Sequence, residues 1–569
     1  FIGNQLIGGN YMHTNEELAD LIFPDIHETV EDLEKRYPPR NLPEGALVTR
    51  FAPSPTGFLH TGSLFTALIA YYVAHMTHGV YFFRLEDTDQ KREIKGSGNE
   101  LVDQLAWFGL KQDEGFMGEG RDEQGNYGPY VQSHRGHIYD IVIKDLIKRG
   151  RAYPCFCTKE DLDQLRLVQE ANKVVPGYYG EYATCRNKTI DEAFKLIKEG
   201  KPYVIRFKSM GDHNKFFKCH DLVRGTLSLP ENDQDIIIRK GNNLPTYHFA
   251  HLCDDHFMRT NCVTRGEEWL SSLPIHLELF KTMGWEAPQY AHLPVILVQD
   301  KETGNKRKLS KRKDKEAAVS FFIQEGYPKE GILEYLLTIS NSNFEEWMHA
   351  NPREDVFKFP FSFTKMSREG ALFDLPKLCD ISQNVLAYMD AHKISSEAYE
   401  WAKTYSPELT SFIEKNKDKF EAIMNIERDQ PKPRKDYVKY SDILPKIAFF
   451  DNDIYESKFN AAPLPFDSKF DHQLIKDVLT AYKNSLDLSG DTQTWFGKVK
   501  ELAVSFGFAA NGKEYKANPS AYKGVVGDVA AFVRICITTT TLSPSLFDVQ
   551  KILGRDEVIR RIDKAIATL

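Results

Sequence analysis

Apolar and polar positions change their period twice within residues 47–87. LVTRFA at 47–52 is an apolar run of strand length, PSPTG follows as a turn, and HTGSLFTALIAYYVAHM at 60–76 places Leu64, Leu68, Tyr71 and Tyr72 at helical spacing. Gly79 ends that helix, and VYFFRLED at 80–87 reads as a second buried strand. Strand, helix and strand over about 40 residues make a βαβ unit, which predicts a parallel sheet. From residue 126 to 247 the pattern differs: CFC, the aromatic-rich GYYGEY and the strand-like PYVIRF and DIIIRK predict an inserted α+β domain. The α/β pattern resumes at PTYHFAHLCDDHFM and continues through HLPVILVQD. Beyond residue 372, patterns such as FDHQLIKDVLTAYKNSL and TQTWFGKVKELAVSFGF predict an all-helical C-terminal third.

Before residue 47 the chain is charged, with ELAD and ETVEDLEKR at helical spacing and then the proline-rich YPPRNLPEG, read as a linker or as an arm packed on the next domain. The opening FIGNQLIGGNYM has neither a basic start nor an apolar core, so it is not read as a signal peptide, and Met12 is a candidate native start. KNKDKF and RDQPKPRKD are expected in solvated loops or on helix faces. The length of 569 residues exceeds one core; about three to five domains are expected. No run of about 18 apolar residues occurs, so no membrane span is predicted. The 8 cysteines are scattered, which fits a reducing cytosol better than a disulfide scaffold. A net charge of −8 argues against non-specific coating of nucleic acid and leaves room for a local basic face.

Two segments carry candidate chemistry. In FAPSPTGFLHTGSL at 51–64, a glycine-containing turn between strand and helix presents backbone N–H groups to an anion. Gly57 and Gly62 remove side chains, and His60 and Thr61 place donors at the helix start, where phosphate oxygens would lie. A plain turn with a capping threonine is the alternative. In KRKLSKRK at 306–313, six of eight residues are basic. Lys308 and Lys311 flank Ser310 in a pattern suited to gripping a triphosphate, because charge builds on phosphates during nucleotidyl transfer. A solvated basic loop or a nucleic-acid patch is the alternative.

HTGS at 60–63 resembles the HIGH signature of class I aminoacyl-tRNA synthetases, and KLSKR at 308–312 resembles KMSKS. With RFAPSPTGFLHTGS, RLEDTD, PTYHFAHLCDD and TRGEEW in order, the chain resembles the bacterial glutamyl-tRNA synthetases. The matches are strongest over 47–372 and continue through LSPSLFDVQKILG to near the C-terminus. Ser63 replaces the last histidine of HIGH, a substitution common in this branch. The resemblance implies a Rossmann-type α/β class I catalytic domain with an inserted α+β domain, followed by an all-α C-terminal anticodon-binding region. Its implied divisions are an N-terminal extension at 1–46, the first catalytic half at 47–125, an acceptor-end-binding insert at 126–247, the second catalytic half at 248–300, a stem-contact region with the KLSKR loop at 301–372, and two helical anticodon-binding parts at 373–475 and 476–569.

The implied reaction is ATP-dependent activation of L-glutamate to glutamyl-adenylate, then transfer to the 3′ end of tRNA(Glu), with no protein nucleophile. By this resemblance Arg50, Ala52, Ser54, Glu86, Tyr247, His251 and Arg265 fall on glutamate-binding positions. Arg50 and Arg265 would clamp carboxylates, Arg265 matching the arginine that reads the side chain, and Glu86 would pair with the α-ammonium. His251 stands where asparagine is common. His60, Thr61, Gly62, Ser63, Glu268, Trp269, Lys308, Ser310 and Lys311 would bind ATP, with His60, Lys308 and Lys311 carrying catalysis. Mg²⁺ is expected with ATP. Some family members bind zinc in the insert. Cys155, Cys157 and Cys185 are the candidates here, with Tyr182 near and Asn187 where a histidine ligand is often found, and reduced buried cysteines are the alternative. Trp495, Phe506 and Phe508 are aromatic candidates for stacking on RNA, with helix core as the bland reading. A cytoplasmic monomer is the family expectation. The glutaminyl branch differs at APSPTG, a short tRNA-modifying paralogue lacks the helical third, and a small-metabolite nucleotidyltransferase lacks it too. A catalytically dead RNA-binding relative would not need both signatures.

Overall fold

Thr14 and Thr29 accept hydrogen bonds from the N–H of Glu17 and Asp32, whose carboxylates accept the threonines' own N–H. These capping boxes start α1 (Asn15–Ile22) and α2 (Val30–Arg36). The computed structural model describes residues 12–569, so the reading of FIGNQLIGGNY lies outside the described residues. The stretch before residue 47 is a packed arm rather than a free linker. Arg40 donates to the Met258 carbonyl at 2.9 and 3.1 Å and lies 4.0 Å over the Tyr127 ring. The chain divides into two compact units. One is built on residues up to Phe321 with Leu336–Trp347 and Asp355–Phe373, and the other on Phe322–Tyr335, Met348–Glu354 and Asp374–Leu569.

In the first unit, β1 (Val48–Phe51) is buried along its whole length, α3 (Thr61–Met76) follows, and β2 (Val80–Phe83) pairs with β1 in parallel, Val48 against Val80 through Phe51 against Phe83. Helix α3 is apolar nearly all round, so it is buried on more than one side. Gly79 allows the return into β2: a Cβ there would stand 1.8 Å from the Leu47 carbonyl oxygen. α4 (Ser97–Trp107) leads to β3 (Glu114–Gly115), which extends the sheet beyond β2 in parallel, and α5 (Gly136–Lys148) follows. Lys144 of α5 donates to the carbonyls of Phe23 and Ile26 and so holds the end of α1.

The predicted inserted segment contains β4 (Ala152–Cys155), α6 (Lys159–Ala171), α7 (Ile190–Lys198), β5 (Val204–Phe207), β6 (Phe216–Asp221), β7 (Gly225–Pro230) and β8 (Ile237–Arg239). β4, β5 and β8 form an antiparallel sheet. The β6–β7 hairpin instead joins the strands that follow. After α8 (Tyr247–Phe257), β9 (Cys262–Gly266), α9 (Leu273–Met283) and β10 (Gln289–Leu293), the sheet order is β7-β6-β10-β9, with β10 parallel to both β9 and β6. Asn261 stitches β9 beside β1. Its N–H donates to the Val48 carbonyl, and its side chain takes the Val48 N–H at 2.7 Å and gives to the Ala46 carbonyl at 3.0 Å. The parallel β1–β2–β3 sheet and the parallel β9–β10–β6 part of the mixed second sheet thus meet between β1 and β9, the place where strand order reverses and where ligands bind in such folds. β11 (Ile296–Gln299) and β12 (Lys306–Lys308) form a hairpin, and β13 (Ala371–Leu372) runs parallel to β11.

The second unit is helical, from Leu375–Tyr388 to Arg555–Ile566, and no strand occurs among its described residues. Aspartates 374, 390, 451, 471 and 491 cap helix starts, and one apolar cluster runs from Leu386 through Ile443 and Ile475 to Ile562. Trp495 and Phe508 are buried in that cluster and Phe506 packs against it, so these aromatics are core. RDQPKPRKD is not wholly the solvated loop expected of it. Its Arg428 is buried and donates to the carbonyls of Met424, Ala387 and Met389 at 2.7–3.0 Å, using its charge to close helix ends.

Candidate active site

The chain leaves β1 through Ala52–Leu59, and His60 is the N-cap of α3. Its Nδ1 accepts from the Gly62 N–H at 2.9 Å, so the neutral ring carries its proton on Nε2. Burial first, and then the nearby Lys311 charge, lowers the His60 pKa and keeps it neutral. The Thr61 hydroxyl does not supply the phosphate donor expected of it. It is buried and donates to the Glu316 carbonyl at 2.7 Å, while the backbone N–H groups of Thr61 and Ser63 belong to the first turn of α3, whose donors have no partner within the helix.

The lysines come from the β11–β12 hairpin and the turn after it. Arg307 is bound to Asp300 at 2.6 Å and to both oxygens of Asp314 at 2.7 and 2.9 Å, and Asp314 also takes the Ser310 N–H at 2.8 Å. Leu309 is buried. With the turn pinned at 307, 309 and 310, Lys308 and Lys311 project. Lys308 Nζ lies 2.7 Å from Glu268. Lys311 Nζ lies 3.4 Å from the Phe58 carbonyl and 4.6 Å from the Phe58 ring centre. Both lysine charges and that of Glu268 act on His60, so these groups share one local field.

A second cluster sits at the ends of β1, β2 and β9 and along α8. Arg50 binds Asp255 through Nε at 2.9 Å and Nη2 at 3.2 Å. Arg84 bridges Asp255 at 2.9 Å and Glu86 at 3.0 Å, and Arg135 takes Asp254 at 2.6 Å. Burial drives the Asp255 pKa upward, but Arg50 and Arg84 outweigh it and hold the carboxyl well below the usual range. At Glu86 burial wins, and its pKa is raised despite Arg84 and Arg50. Tyr247 packs its ring 4.3 Å from Trp269, and His251, one turn along α8, lies 2.7 Å from Asp255 and 2.9 Å from the Tyr290 hydroxyl. Arg265, at the end of β9, donates to His292 and to His276, each at 3.0 Å, while its Nη2 is buried without an acceptor among the described residues. Ala52 and Ser54 lie on the strand-free backbone between β1 and α3, beside Pro53, whose carbonyl takes the Glu86 N–H at 2.9 Å. Sequence reasoning missed Arg84, Asp255, His276 and His292. The doubled aspartate of HLCDD was the available signal for Asp255.

A third group lies at the end of β4. The ligand atoms of Cys155, Cys157 and Cys185 all lie within 4.8 Å of one another, with Cys157 Sγ 3.8 Å from Cys185 Sγ. The phenol beside them is Tyr178 and not Tyr182: the Tyr178 oxygen is 3.4 Å from the sulfurs of both Cys155 and Cys157 and accepts the Cys185 N–H at 2.9 Å. The reason is the turn, which folds residue 178 inward under Arg206, 3.8 Å from its ring, and leaves Asn187 exposed. Hydrogen bonds, from Cys185 first and Tyr178 next, lower the Cys155 pKa toward the thiolate.

The family model "tRNA synthetases class I (E and Q), catalytic domain" matches residues 46–374, and an anticodon-binding-domain model matches residues 518–566. The chain is 46% identical over 550 residues to a glutamate–tRNA ligase of Clostridium beijerinckii, covering 96% of this chain and 99% of that one. It is 45% identical over 552 residues to a glutamate–tRNA ligase of Acetivibrio thermocellus, covering 97% and 100%. Among solved structures, a glutamate tRNA ligase from Elizabethkingia meningosepticum in complex with its amino acid is similar with a TM-score of 0.69 and 28% identity, covering 92% of this chain and 99% of that chain.

Proposed function

The chain belongs to the class I tRNA synthetases of the glutamate and glutamine group, and we infer that it is a glutamate–tRNA ligase, joining L-glutamate to tRNA(Glu) at the expense of ATP. One observation supports the roles of its residues above the rest: Lys311, from the turn that follows Lys308 at the end of β12, reaches the Phe58 carbonyl at 3.4 Å, two residues before His60 at the start of α3. In the proposed reaction the α-carboxylate attacks the α-phosphorus, and the bond to pyrophosphate breaks. Lys308, Lys311, the His60 Nε2–H and the first-turn N–H groups of α3 stabilise the charge that collects on the leaving phosphates. The ribose hydroxyl of the tRNA end then attacks the acyl carbon and AMP leaves. Glu86 meets the α-ammonium, Arg265 Nη2 meets the γ-carboxylate, and Tyr247 with His251 walls the side chain. Arg50 offers Nη1, the donor that Asp255 does not take. Glu268, Trp269 and Ser310 border the ATP side, and Ala52 and Ser54 offer backbone groups.

ATP–pyrophosphate exchange with glutamate and with glutamine, each with and without tRNA, tests this reading. Glutamate-specific exchange is expected, and no exchange under any condition by folded protein would overturn it. Lys308→Ala should lower the exchange rate by roughly 10²–10³-fold. Its melting temperature should be unchanged, because the side chain is half-exposed.

The thiol group fits a metal. Tetrahedral zinc with thiolate ligands sets sulfurs about 3.8 Å apart. Cys157 and Cys185 are at that distance, and the phenol of Tyr178 stands where a fourth donor is needed. We propose that Cys155, Cys157, Cys185 and Tyr178 hold a structural zinc that ties the 178–185 turn to β4. Metal analysis of protein purified without chelator should find about one zinc per chain; none would refute the site. A Mg²⁺ accompanying ATP would rest largely on the phosphates, as this ion commonly does. The anticodon would be read by the helical unit, whose residues 518–566 match the anticodon-binding model. None of the 8 cysteines is in a disulfide, which fits a reducing compartment, and a cytoplasmic monomer is proposed; no helix among the described residues is long and apolar enough to cross a membrane.

A further inference from the structure

Arg265 is held unlike the other buried guanidiniums of the site. Arg50, Arg84 and Arg135 are matched by Asp255, Glu86 and Asp254 at 2.6–3.2 Å, so their charges are balanced within the protein. The acceptors of Arg265 are imidazole nitrogens: Nε donates to His292 Nε2 and Nη1 to His276 Nδ1. A guanidinium only donates, so each contacted nitrogen carries no proton, and the tautomers follow. His276 keeps its proton on Nε2, 2.9 Å from His248 Nδ1, and His292 keeps its own on Nδ1, 2.6 Å from Asp221. Both rings are fully buried, and burial lowers both pKa values. Asp221, which ends this chain of bonds, stands behind His292 and is shared with the N–H groups of Val223 and Arg224. The result is a guanidinium oriented along two edges and neutralised at neither, with Nη2 buried and unpaired.

We propose that His276 and His292 are positioning residues that set the preference for an acidic side chain over its amide: as neutral acceptors they aim Arg265 and leave its charge to the γ-carboxylate. The inference rests on the ligase reading above. A carboxylate in place of either ring would aim the guanidinium equally well but cancel the charge, and a pocket without net charge loses its reason to prefer glutamate to glutamine.

The test measures kcat and KM for glutamate and glutamine in tRNA-supported pyrophosphate exchange with wild-type protein, His276→Gln and His276→Glu, with folding followed by thermal melting. His276→Gln preserves a neutral acceptor and should keep the glutamate KM within about 5-fold and the preference intact. His276→Glu should raise the glutamate KM about 10-fold or more with little change in kcat, and should cut the glutamate-to-glutamine ratio of kcat/KM by about 100-fold. A wild-type ratio in His276→Glu, or an equal loss in His276→Gln, overturns the inference and leaves the ligase reading standing. Absence of glutamate exchange by the wild type overturns both. A further arm needs no variant. The charged and titratable groups facing the two rings are Tyr247, His248, His251 and Asp255 of α8, Arg265 of β9, Tyr290 of β10, Asp221 at the end of β6 and Arg224 in the turn after it. With both rings neutral, the wild-type glutamate-to-glutamine ratio should be flat from about pH 8 to about pH 6, because the γ-carboxyl is ionised throughout and titrations common to both substrates cancel. A ratio that changes through the ordinary histidine range overturns the inference.

Discussion

Four histidines, 248, 251, 276 and 292, lie within or behind the proposed glutamate pocket, and burial lowers the pKa of each, to about 4 for His248 and about 3 for His251. In the unfolded chain all would bind protons near pH 6.5. Below that pH the unfolded state therefore binds more protons than the folded state. The stability these depressed groups contribute is complete above about pH 6.5 and is lost as pH falls toward their folded values. Each contributes a slope of up to about 1.4 kcal/mol per pH unit in that window. Thermal melts from pH 7.5 to pH 5 should show the first unit losing stability on acidification, with a shallower slope in His248→Gln. A flat profile would mean that the rings bind protons in the folded protein as readily as in the unfolded chain.

Among the elements, the hairpin of β11 and β12 shows how an exposed basic turn is given a shape. Asp314 holds three donors, two from Arg307 and one from the Ser310 backbone. Asp314→Ala should free the turn, raise the KM for ATP by about 10-fold by making the lysines pay orientation on binding, and leave the melting temperature nearly unchanged. An unchanged KM would show that the turn is ordered by other contacts. This element also marks the limit of what the chain made legible in advance. The run of lysines and arginines marked out the turn after β12, and the period of residues 47–87 announced β1, α3 and β2, because repeating side-chain patterns report local geometry. Pairings across long separations left no such trace. Arg84 and Asp255 are 171 residues apart, and a charge within a strand or helix pattern reads as exposed until its partner is known. His276 sits in LPIHLELF, where one imidazole on an apolar face reads as ordinary core. Tyr182 was nearer to Cys185 in sequence than Tyr178, and only the fold of the turn reverses that order.

At the scale of the molecule, the helical unit is braced by buried arginines where helices converge on carbonyl groups. In the helical unit Arg561 is buried, gives Nη1 to the carbonyls of Phe449 and Ile537 at 2.8 and 2.7 Å, and lies 3.8 Å over the Tyr455 ring. Arg561→Ala would leave those carbonyls without a donor and open a cavity, costing about 3 kcal/mol. Limited proteolysis should then begin within residues 374–569 at a lower temperature than in the wild type. First cuts in the other unit would contradict the division into two units.

The reach of Lys311 to the Phe58 carbonyl spans 253 residues of chain. Ribosomes add about 5–20 residues per second, so the histidine-led turn is made roughly 13–50 seconds before the lysine that faces it. Through that interval the nascent protein carries one half of the proposed nucleotide grip, and a chain whose translation stops short of Lys311 never acquires the other.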